Sequence, residues 1–258
     1  IIEQVENATG RSFSIDGEIE LSVFPWIGLK IEDTWLGNEK GFSAEKFAAI
    51  KQLDVKVNVL PLLKKEVEIN TIRLHGLNVS LEVAKNKTNN WSSLSQPKDD
   101  AAGEESVKEV VEDSKSDAAP EDSASPLQSL KVEGFEFVDA VIIYDDRSSG
   151  TKATVSELNL QTSAITFDEA IDVSFSAHIE NNAPQVDTRL NIETQLIINK
   201  ELSVFNLNNL VVTVFTKANE FIKQDEKLVL KSSIDVLMEK QMVTIKQLQL
   251  DALGTTTV

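Results

Sequence analysis

Apolar and polar residues alternate with a period of two in several stretches of the chain. The alternation is strict over residues 54–59 and 172–180, and it holds over residues 190–196 apart from Thr194. A further stretch of the same kind begins at Leu228. Successive side chains of a β-strand point to opposite faces, so each stretch predicts a strand with one apolar face and one polar face. Such strands favour antiparallel sheets with one face in contact with water.

Helical spacing is confined to short stretches. Apolar residues over 1–9 fit one face of a helix, and Gly10 follows at the position of a C-cap. Ser43 is a candidate N-cap for a second short helix over residues 43–49. No helical stretch of 10–15 residues alternates with the strands, which argues against a βαβ layout.

One pattern occurs three times, as VEINTIRLHGL from Val67, LKVEGFEFVDA from Leu130 and VTIKQLQLDAL from Val243. In each copy the alternation changes phase at the same two places, near 70–71 and 75–76 in the first copy. A strand changes face only through an extra residue, so each copy should contain two bulges or kinks. Repeated bends predict a sheet that curves.

These patterns together predict a fold class. We expect a mainly β protein in which one or more curved antiparallel sheets form a groove or an open sandwich. A short N-terminal helix and one or two small helices complete the prediction.

Residues 97–126 differ from the rest of the chain. They include ten acidic and three basic residues and no aromatic residue. This composition cannot bury enough apolar surface to offset the entropy of ordering, so we predict a disordered acidic linker, with a transient helix near 104–112 as the alternative. The linker separates a β-rich part with short helices, 1–96, from a second β-rich part, 127–258, which can continue the first sheet.

Composition narrows the classes of function. The 258 residues carry a formal net charge of −17, which argues against nucleic acid as a partner. The chain has no cysteine and two histidines, so disulfides and thiolate chemistry are excluded and little material exists for a catalytic triad or a zinc site. We predict no catalytic residue, no metal site and no cofactor. Asp145 and Asp146 are more simply explained by a turn than by a cation site, and His178 is expected to be exposed on the polar face of its strand.

The chain resembles the N-terminal region of the AsmA family. The resemblance rests on the order and spacing of short motifs: VENATGR from Val5, IDGEI from Ile15, LSVFPWIGL from Leu21, WLGN from Trp35, GF at Gly41, VKVNVLPLL from Val55, EVEI from Glu66, LHGL from Leu74, NNW from Asn89, the pair Asp145-Asp146, and VSELNL from Val155. The acidic break between the two halves is also similar.

The resemblance implies a location and a role. AsmA-like proteins lie in the periplasm of Gram-negative bacteria and are anchored in the inner membrane by one N-terminal helix. They are similar to bridge-like lipid-transfer proteins, in which a curved sheet forms an apolar groove, and they are linked to outer-membrane lipid homeostasis. We expect the present sequence to be an excised piece, because the anchor helix and the C-terminal region of the family are not in it. The implied partners are phospholipid or another acyl lipid, the inner membrane through the anchor helix, and other envelope proteins.

Two functional hypotheses compete. In the first, the chain is a non-catalytic module that binds or guides phospholipid acyl chains along an apolar β-groove. The candidate groove residues come from the repeated pattern: Val67, Ile69, Ile72, Leu74, Leu77, Val79, Leu81, Phe135, Phe137, Leu248 and Leu250. Trp26 is a candidate for contact with the membrane interface, with a place in the core as the alternative. In the second hypothesis, the chain is a structural or assembly module that contacts envelope proteins and does not bind lipid.

Overall fold

The computed structural model describes residues 2–24, 26–62, 67–94 and 130–254, and these form a single sheet of 15 strands. The strands are β1 Phe13–Ile15, β2 Ile19–Ser22, β3 Trp26–Gly37, β4 Lys46–Asn58, β5 Val67–Ile69, β6 Ile72–His75, β7 Asn78–Val83, β8 Leu130–Val132, β9 Phe135–Asp146, β10 Thr151–Thr162, β11 Ile171–Asn182, β12 Gln185–Ile198, β13 Val204–Thr216, β14 Glu226–Leu237 and β15 Met242–Gly254. The helices are α1 Ile2–Thr9, α2 Val59–Leu62 and a 3₁₀ turn at Ser92–Leu94. Within the described residues, no helix is long and apolar enough to cross a membrane.

One helix prediction is confirmed and the other is wrong. Helix α1 ends at Gly10, which adopts a φ of 72° and donates its N–H to the carbonyl of Glu6 at 2.7 Å. Residues 43–49 do not form a helix, because β4 begins at Lys46 and pairs with β3. Ala44, Glu45 and Lys46 favour a helix, but propensity is a weak prior, and pairing along a 13-residue strand overrides it.

Along the main path of the sheet, the strands are arranged in the order in which they occur in the sequence, and β2, β5, β7 and β8 lie off this path. The order is β1-β3-β4-β6-β9-β10-β11-β12-β13-β14-β15, with β2 paired to β3, β5 bridging β4 and β8, and β7 bridging β4 and β9. Neighbours are antiparallel except in the pairs β5–β8, β6–β9 and β7–β9, which are parallel. The prediction of a mainly β protein is therefore confirmed, and the sheet is mixed rather than wholly antiparallel. Strands from before and after residues 95–129 share this one sheet, while the predicted acidic linker, 97–126, lies outside the described residues.

The first two copies of the repeated pattern lie side by side in the parallel pairs. Ile72 is opposite Phe135 and Leu74 is opposite Phe137, so the register of pairing equals the spacing of the repeat in the sequence. Both copies bend twice. Each is interrupted before Ile72 or Phe135, and each has a second bend with positive φ, at Gly76 (65°) and Asp139 (54°).

The third copy departs from this prediction. Strand β15 is continuous and has one residue of positive φ, Gln247 at 50°. The second predicted bend is absent from this described strand, because Gln249 to Gly254 pair with β14 in an unbroken register.

The sheet does not close over a core. Among the described residues, four apolar residues are buried: Ala140, Ile171, Ala177 and Leu210. The main contacts between described elements join neighbouring strands, α1 with β1, and α2 with β5, so no second layer of the described residues packs on the sheet.

Candidate functional site

One face of the sheet is apolar from one edge to the other. A single row of large apolar side chains crosses eleven strands, each residue directly opposite the next in the register. The row consists of Ile19, Ile31, Leu53, Leu74, Phe137, Leu160, Phe175, Ile192, Val212, Leu230 and Leu250. With about 4.8 Å between neighbouring strands, this apolar row is about 48 Å long.

The opposite face carries a polar row one residue away on every strand. Its members are Glu20, Lys30, Asp54, Arg73, Glu136, Gln161, Ser174, Glu193, Val211, Lys231 and Gln249, with Val211 the exception to polarity. Ion pairs link strands along it, such as Lys30 Nζ to Glu20 Oε1 and Arg73 Nε to Glu136 Oε2, both at 2.7 Å. Hydrogen bonds to Glu20 and then to Glu32 raise the pKa of Lys30 above its ordinary value, so this lysine stays charged. The sheet is therefore amphipathic over its whole width.

The two faces differ in burial. On β11, Ile171 and Ala177 are buried and Phe175 is half-buried, whereas Asp172 and Ser174 on the other face are exposed. No second layer of the described residues covers either face. We call this apolar side the inner face and the polar side the outer face.

The structure places most of the predicted groove residues on the inner face. Leu74, Phe137 and Leu250 belong to the apolar row. Five others occupy adjacent inner positions through the pairs Ile69 with Val57, Ile72 with Phe135, Val79 with Ile142, and Leu81 with Tyr144. Their contact with lipid stays a prediction.

Three predicted groove residues are not assigned to the inner face. Leu77 follows the bend at Gly76 and is half-buried. Leu248 lies on the edge strand and is exposed. The backbone of Val67 pairs with Leu130, and its side chain lies outside the described residues.

The sequence prediction missed eight members of the apolar row that lie outside the repeat. They are Ile19, Ile31, Leu53, Leu160, Phe175, Ile192, Val212 and Leu230. Phe175 and Ile192 fall within the strictly alternating stretches, so the alternation alone could have assigned them to the inner face. Their strands have the same inner face without the repeated bends, so the repeated pattern does not identify them.

Trp26 opens β3 and lies opposite Asn58, the last residue of β4. Its side chain is exposed, as are those of Val23 and Phe24 in the preceding turn. Trp26 therefore does not occupy the core.

Several residues of the family-like motifs meet in a buried polar cluster at one end of the sheet. The side chain of Asn90 is fully buried, accepts the N–H of Glu82 at 2.9 Å, and donates to the carbonyl of Ser80 and to Asn38 Oδ1. Arg11 Nη2 donates to the Asn90 carbonyl at 2.6 Å and lies over the ring of Phe47. This cluster joins segments far apart in the sequence and stabilises the fold, which explains the motifs without a catalytic role.

The acidic pair 145–146 ends β9 and leads into a turn, in agreement with the prediction of a turn at this point. Asp146 accepts hydrogen bonds from the side chains and backbone N–H groups of Ser148 and Ser149. Asp145 pairs with Lys152 at 3.3 Å.

His178 departs from the prediction. It lies on the outer face as expected, but its side chain is only 12% exposed, because Nε2 lies 2.8 Å from Asp187 Oδ1. Lys217 Nζ also donates to Asp187, and these two hydrogen bonds, that from Lys217 first, lower the pKa of the Asp187 carboxyl. Glu180 is close enough to complete a three-residue group with His178 and Asp187. Lys217 already supplies a positive charge to this group, so an ion pair accounts for it.

Comparisons with known proteins agree with the motifs. The model of the AsmA family matches residues 1–254, nearly the whole chain. Searches of curated proteins and of solved structures gave no match. AsmA proteins are envelope-associated and related to lipid. The single amphipathic sheet and the match over residues 1–254 establish that this chain belongs to the AsmA family.

Proposed function

We propose that the inner face binds the acyl chains of phospholipid or of a similar lipid, as a non-catalytic periplasmic module of an AsmA-like protein that acts in outer-membrane lipid homeostasis. In this proposal the full-length protein is anchored in the inner membrane. The observation that carries the proposal is the apolar row, which crosses eleven strands and has no covering layer among the described residues.

Burial of acyl methylenes can provide the free energy of binding at such a site without specific polar contacts. Each acyl methylene removed from water contributes about 0.8 kcal/mol, so ten methylenes contribute about 8 kcal/mol. Association costs about 4–15 kcal/mol in lost freedom, so a bound lipid must bury most of its acyl chain. An apolar surface about 48 Å long offers that contact to a chain at many positions.

The polar parts of the sheet are consistent with guiding rather than capturing a lipid. Charged groups of the polar row, such as Lys30 and Arg73, are paired with carboxylates on neighbouring strands. They lie on the outer face, away from the proposed acyl site. An acyl chain could therefore shift along the inner face without breaking an ion pair.

Two adjacent valines of β13 provide a matched test. Val212 belongs to the apolar row and Val211 to the polar row, and both side chains are half-buried. Val212→Gln places an amide on the inner face, whereas Val211→Gln makes the same change of volume and strand propensity on the outer face. Native mass spectrometry after incubation with phospholipid, and titration with a fluorescent fatty acid, measure the binding of each variant.

We expect Val212→Gln to weaken binding of the fatty acid at least fivefold and Val211→Gln to leave it within twofold of the parent chain. Thermal unfolding followed by circular dichroism checks that both variants fold. A parent chain that takes up neither phospholipid nor fatty acid would overturn the proposal, as would equal binding by the two variants.

The second candidate function is assembly with other envelope proteins without lipid. The observation that favours it is β15, which pairs on one side only among the described strands and exposes Val243, Ile245, Leu248 and Leu250. Strand addition along such an edge satisfies backbone hydrogen bonds and covers apolar side chains. Self-association in sedimentation experiments without lipid, lost in Ile245→Lys, would favour this function over the first.

A further inference from the structure

We propose that the turn between β2 and β3, together with α2, docks on the surface of a lipid bilayer and inserts its apolar side chains there. The proposal concerns five residues that we call the tip patch: Leu21, Val23, Phe24, Trp26 and Leu60. It goes beyond the proposed function, because docking on a bilayer surface does not require an acyl chain on the inner face.

The side chains of the tip patch are highly exposed, and the position of β2 at the side of the sheet does not account for all of this exposure. The exposed fractions are 74% for Leu21, 78% for Val23, 81% for Phe24 and 71% for Leu60. Val23 and Phe24 lie outside the strands, in the turn itself, so their exposure does not come from the lack of a neighbouring strand. Apolar side chains of this size are rarely left together in water without a partner.

The pairing of the strands places these residues at one end of the sheet. Ser22 lies opposite Gly28 and is the last residue of β2, so Val23 and Phe24 lie beyond the paired end of that strand. Trp26 lies opposite Asn58, and α2 begins at the next residue, Val59. The turn and α2 therefore extend from the same rim of the sheet, beyond its last paired residues.

The charges near the patch indicate which kind of surface it fits. Lys30 pairs with Glu20 and Glu32, both at 2.7 Å, and Lys56 pairs with Asp54 at 3.0 Å. These lysines are already neutralised, and the chain as a whole carries a net charge of −17. Attraction to anionic headgroups is therefore weak, and insertion of apolar and aromatic side chains into an uncharged interface provides the free energy of docking. Tryptophan and phenylalanine are suited to that interface.

Continuity with the inner face favours a bilayer over a protein partner. Leu21 of the tip patch lies opposite Leu29, and Ile19 lies opposite Ile31 in the apolar row. Leu21 thus joins the tip patch to the inner face, whereas Trp26 lies on the outer face beside Gly28 and Lys56. A bilayer touching the patch would meet the apolar row directly.

Flotation with phosphatidylcholine vesicles tests the proposal on the full chain. We expect the parent chain to float with these vesicles and the double variant Phe24→Ser with Leu60→Ser to lose at least fivefold of its partition coefficient. Phe221→Ser is the matched control, because Phe221 is 70% exposed in the turn after β13, at the opposite rim, and its loss should change binding less than twofold. Raising the salt concentration from 50 to 500 mM should leave flotation of the parent chain unchanged.

Trp26 provides a second readout. Brominated phosphatidylcholine should quench part of the tryptophan fluorescence of the parent chain, and the substitution Trp26→Phe should remove that quenching. The docking proposal would be overturned by a parent chain that stays with the soluble fraction, by equal losses for the tip and Phe221 variants, or by flotation that salt abolishes. The variant Val212→Gln should still float, so a failure of acyl binding and a failure of docking give different results.

Discussion

The carboxylate of Asp146 organises the turn between β9 and β10. It accepts the hydroxyls of Ser148 at 2.7 Å and Ser149 at 2.8 Å, and the backbone N–H groups of the same two residues at 2.8 and 3.2 Å. Hydrogen bonds from the Ser148 side chain and then from the Ser149 side chain lower the pKa of Asp146 to about 2. The ionised form of this carboxylate is therefore part of the folded turn.

A pH dependence follows at this residue. Because the pKa of Asp146 is lower in the folded chain than in the unfolded chain, its contribution to stability is present above about pH 4 and is lost as the pH falls toward 2. Replacing Ser148 and Ser149 by alanine should raise the pKa of Asp146 toward its ordinary value of 3.8.

Titration of the Asp146 side-chain carboxyl by NMR measures this shift. Ser174→Ala on the exposed outer face of β11 serves as the control and should leave the midpoint unchanged. A midpoint that stays near 2 in the double alanine variant would contradict the assignment to the serine hydrogen bonds.

At the scale of the elements, the bends of neighbouring strands lie beside one another. Asp33 in β3 has a φ of 45° and lies between residues that pair with Gln52 and Ile50. Gly76 follows His75, which pairs with Gln52, so both bends are level with Lys51 in β4. Gly76 is followed across the parallel pair by Asp139 at the same register. The register across these strands is unbroken at this line, so they change face together and the apolar side remains continuous.

The two parallel copies of the repeat have different residues at the second bend, Gly76 in the first and Asp139 in the second. A residue with a branched β-carbon is strained at positive φ, so Gly76→Val should lower the free energy of unfolding by about 1–3 kcal/mol. Asp139→Gly should leave stability unchanged or raise it slightly, because glycine adopts a φ of 54° without strain.

Urea unfolding followed by circular dichroism measures both changes. The Cβ added at Gly76 would lie 2.6 Å from Lys51 Cδ, 2.7 Å from its Cγ and 2.9 Å from its Cβ. Lys51→Ala removes the two shorter contacts and keeps the third, and we expect the loss to persist in Gly76→Val combined with Lys51→Ala. Full recovery of stability in that double variant would instead assign the cost to the contact with Lys51.

The elements differ in how far the sequence predicted them. The alternation at residues 172–180 and 190–196 predicted strands, and the phase changes predicted the bends near Gly76, because both signals are local. The helix expected after Ser43 failed, since pairing with β3 decides that segment. The cluster around Asn90 could not be predicted either, because Arg11 and Asn90 are 79 residues apart and nothing in either segment specifies the other.

At the scale of the whole molecule, the parallel pairs join the two halves of the chain. Strands β7 and β9 run in the same direction, so the chain leaves the first half at one rim of the sheet and re-enters the second half at the other. Twelve residues of β9 extend about 40 Å at about 3.3 Å per residue, which is the span that a connection must cover. The acidic composition of residues 97–126 plays no part in this requirement.

The length of the connecting segment should therefore matter more than its charge. Replacing residues 97–126 by glycine and serine at the same length should leave the thermal unfolding temperature unchanged, because the sheet is formed by the flanking strands. Shortening the segment 95–129 to eight residues should lower that temperature markedly, because about 26–29 Å of extended chain cannot cross the span. Circular dichroism against temperature distinguishes the two variants, and equal stability of the two would show that the halves do not need the full crossing.

The parallel strand pairs should also allow the two halves of the chain to be produced as separate polypeptides. The halves meet through backbone hydrogen bonds and apolar contacts of β5 to β7 with β8 and β9, not through the peptide link between them. Two polypeptides, one ending and the other beginning within the acidic stretch, should reassemble into the same sheet when they are produced together. The two halves would then behave as complementary subunits whose association depends on their concentration. The boundary between the folding units would lie at the parallel strand pairs and not at the covalent linker.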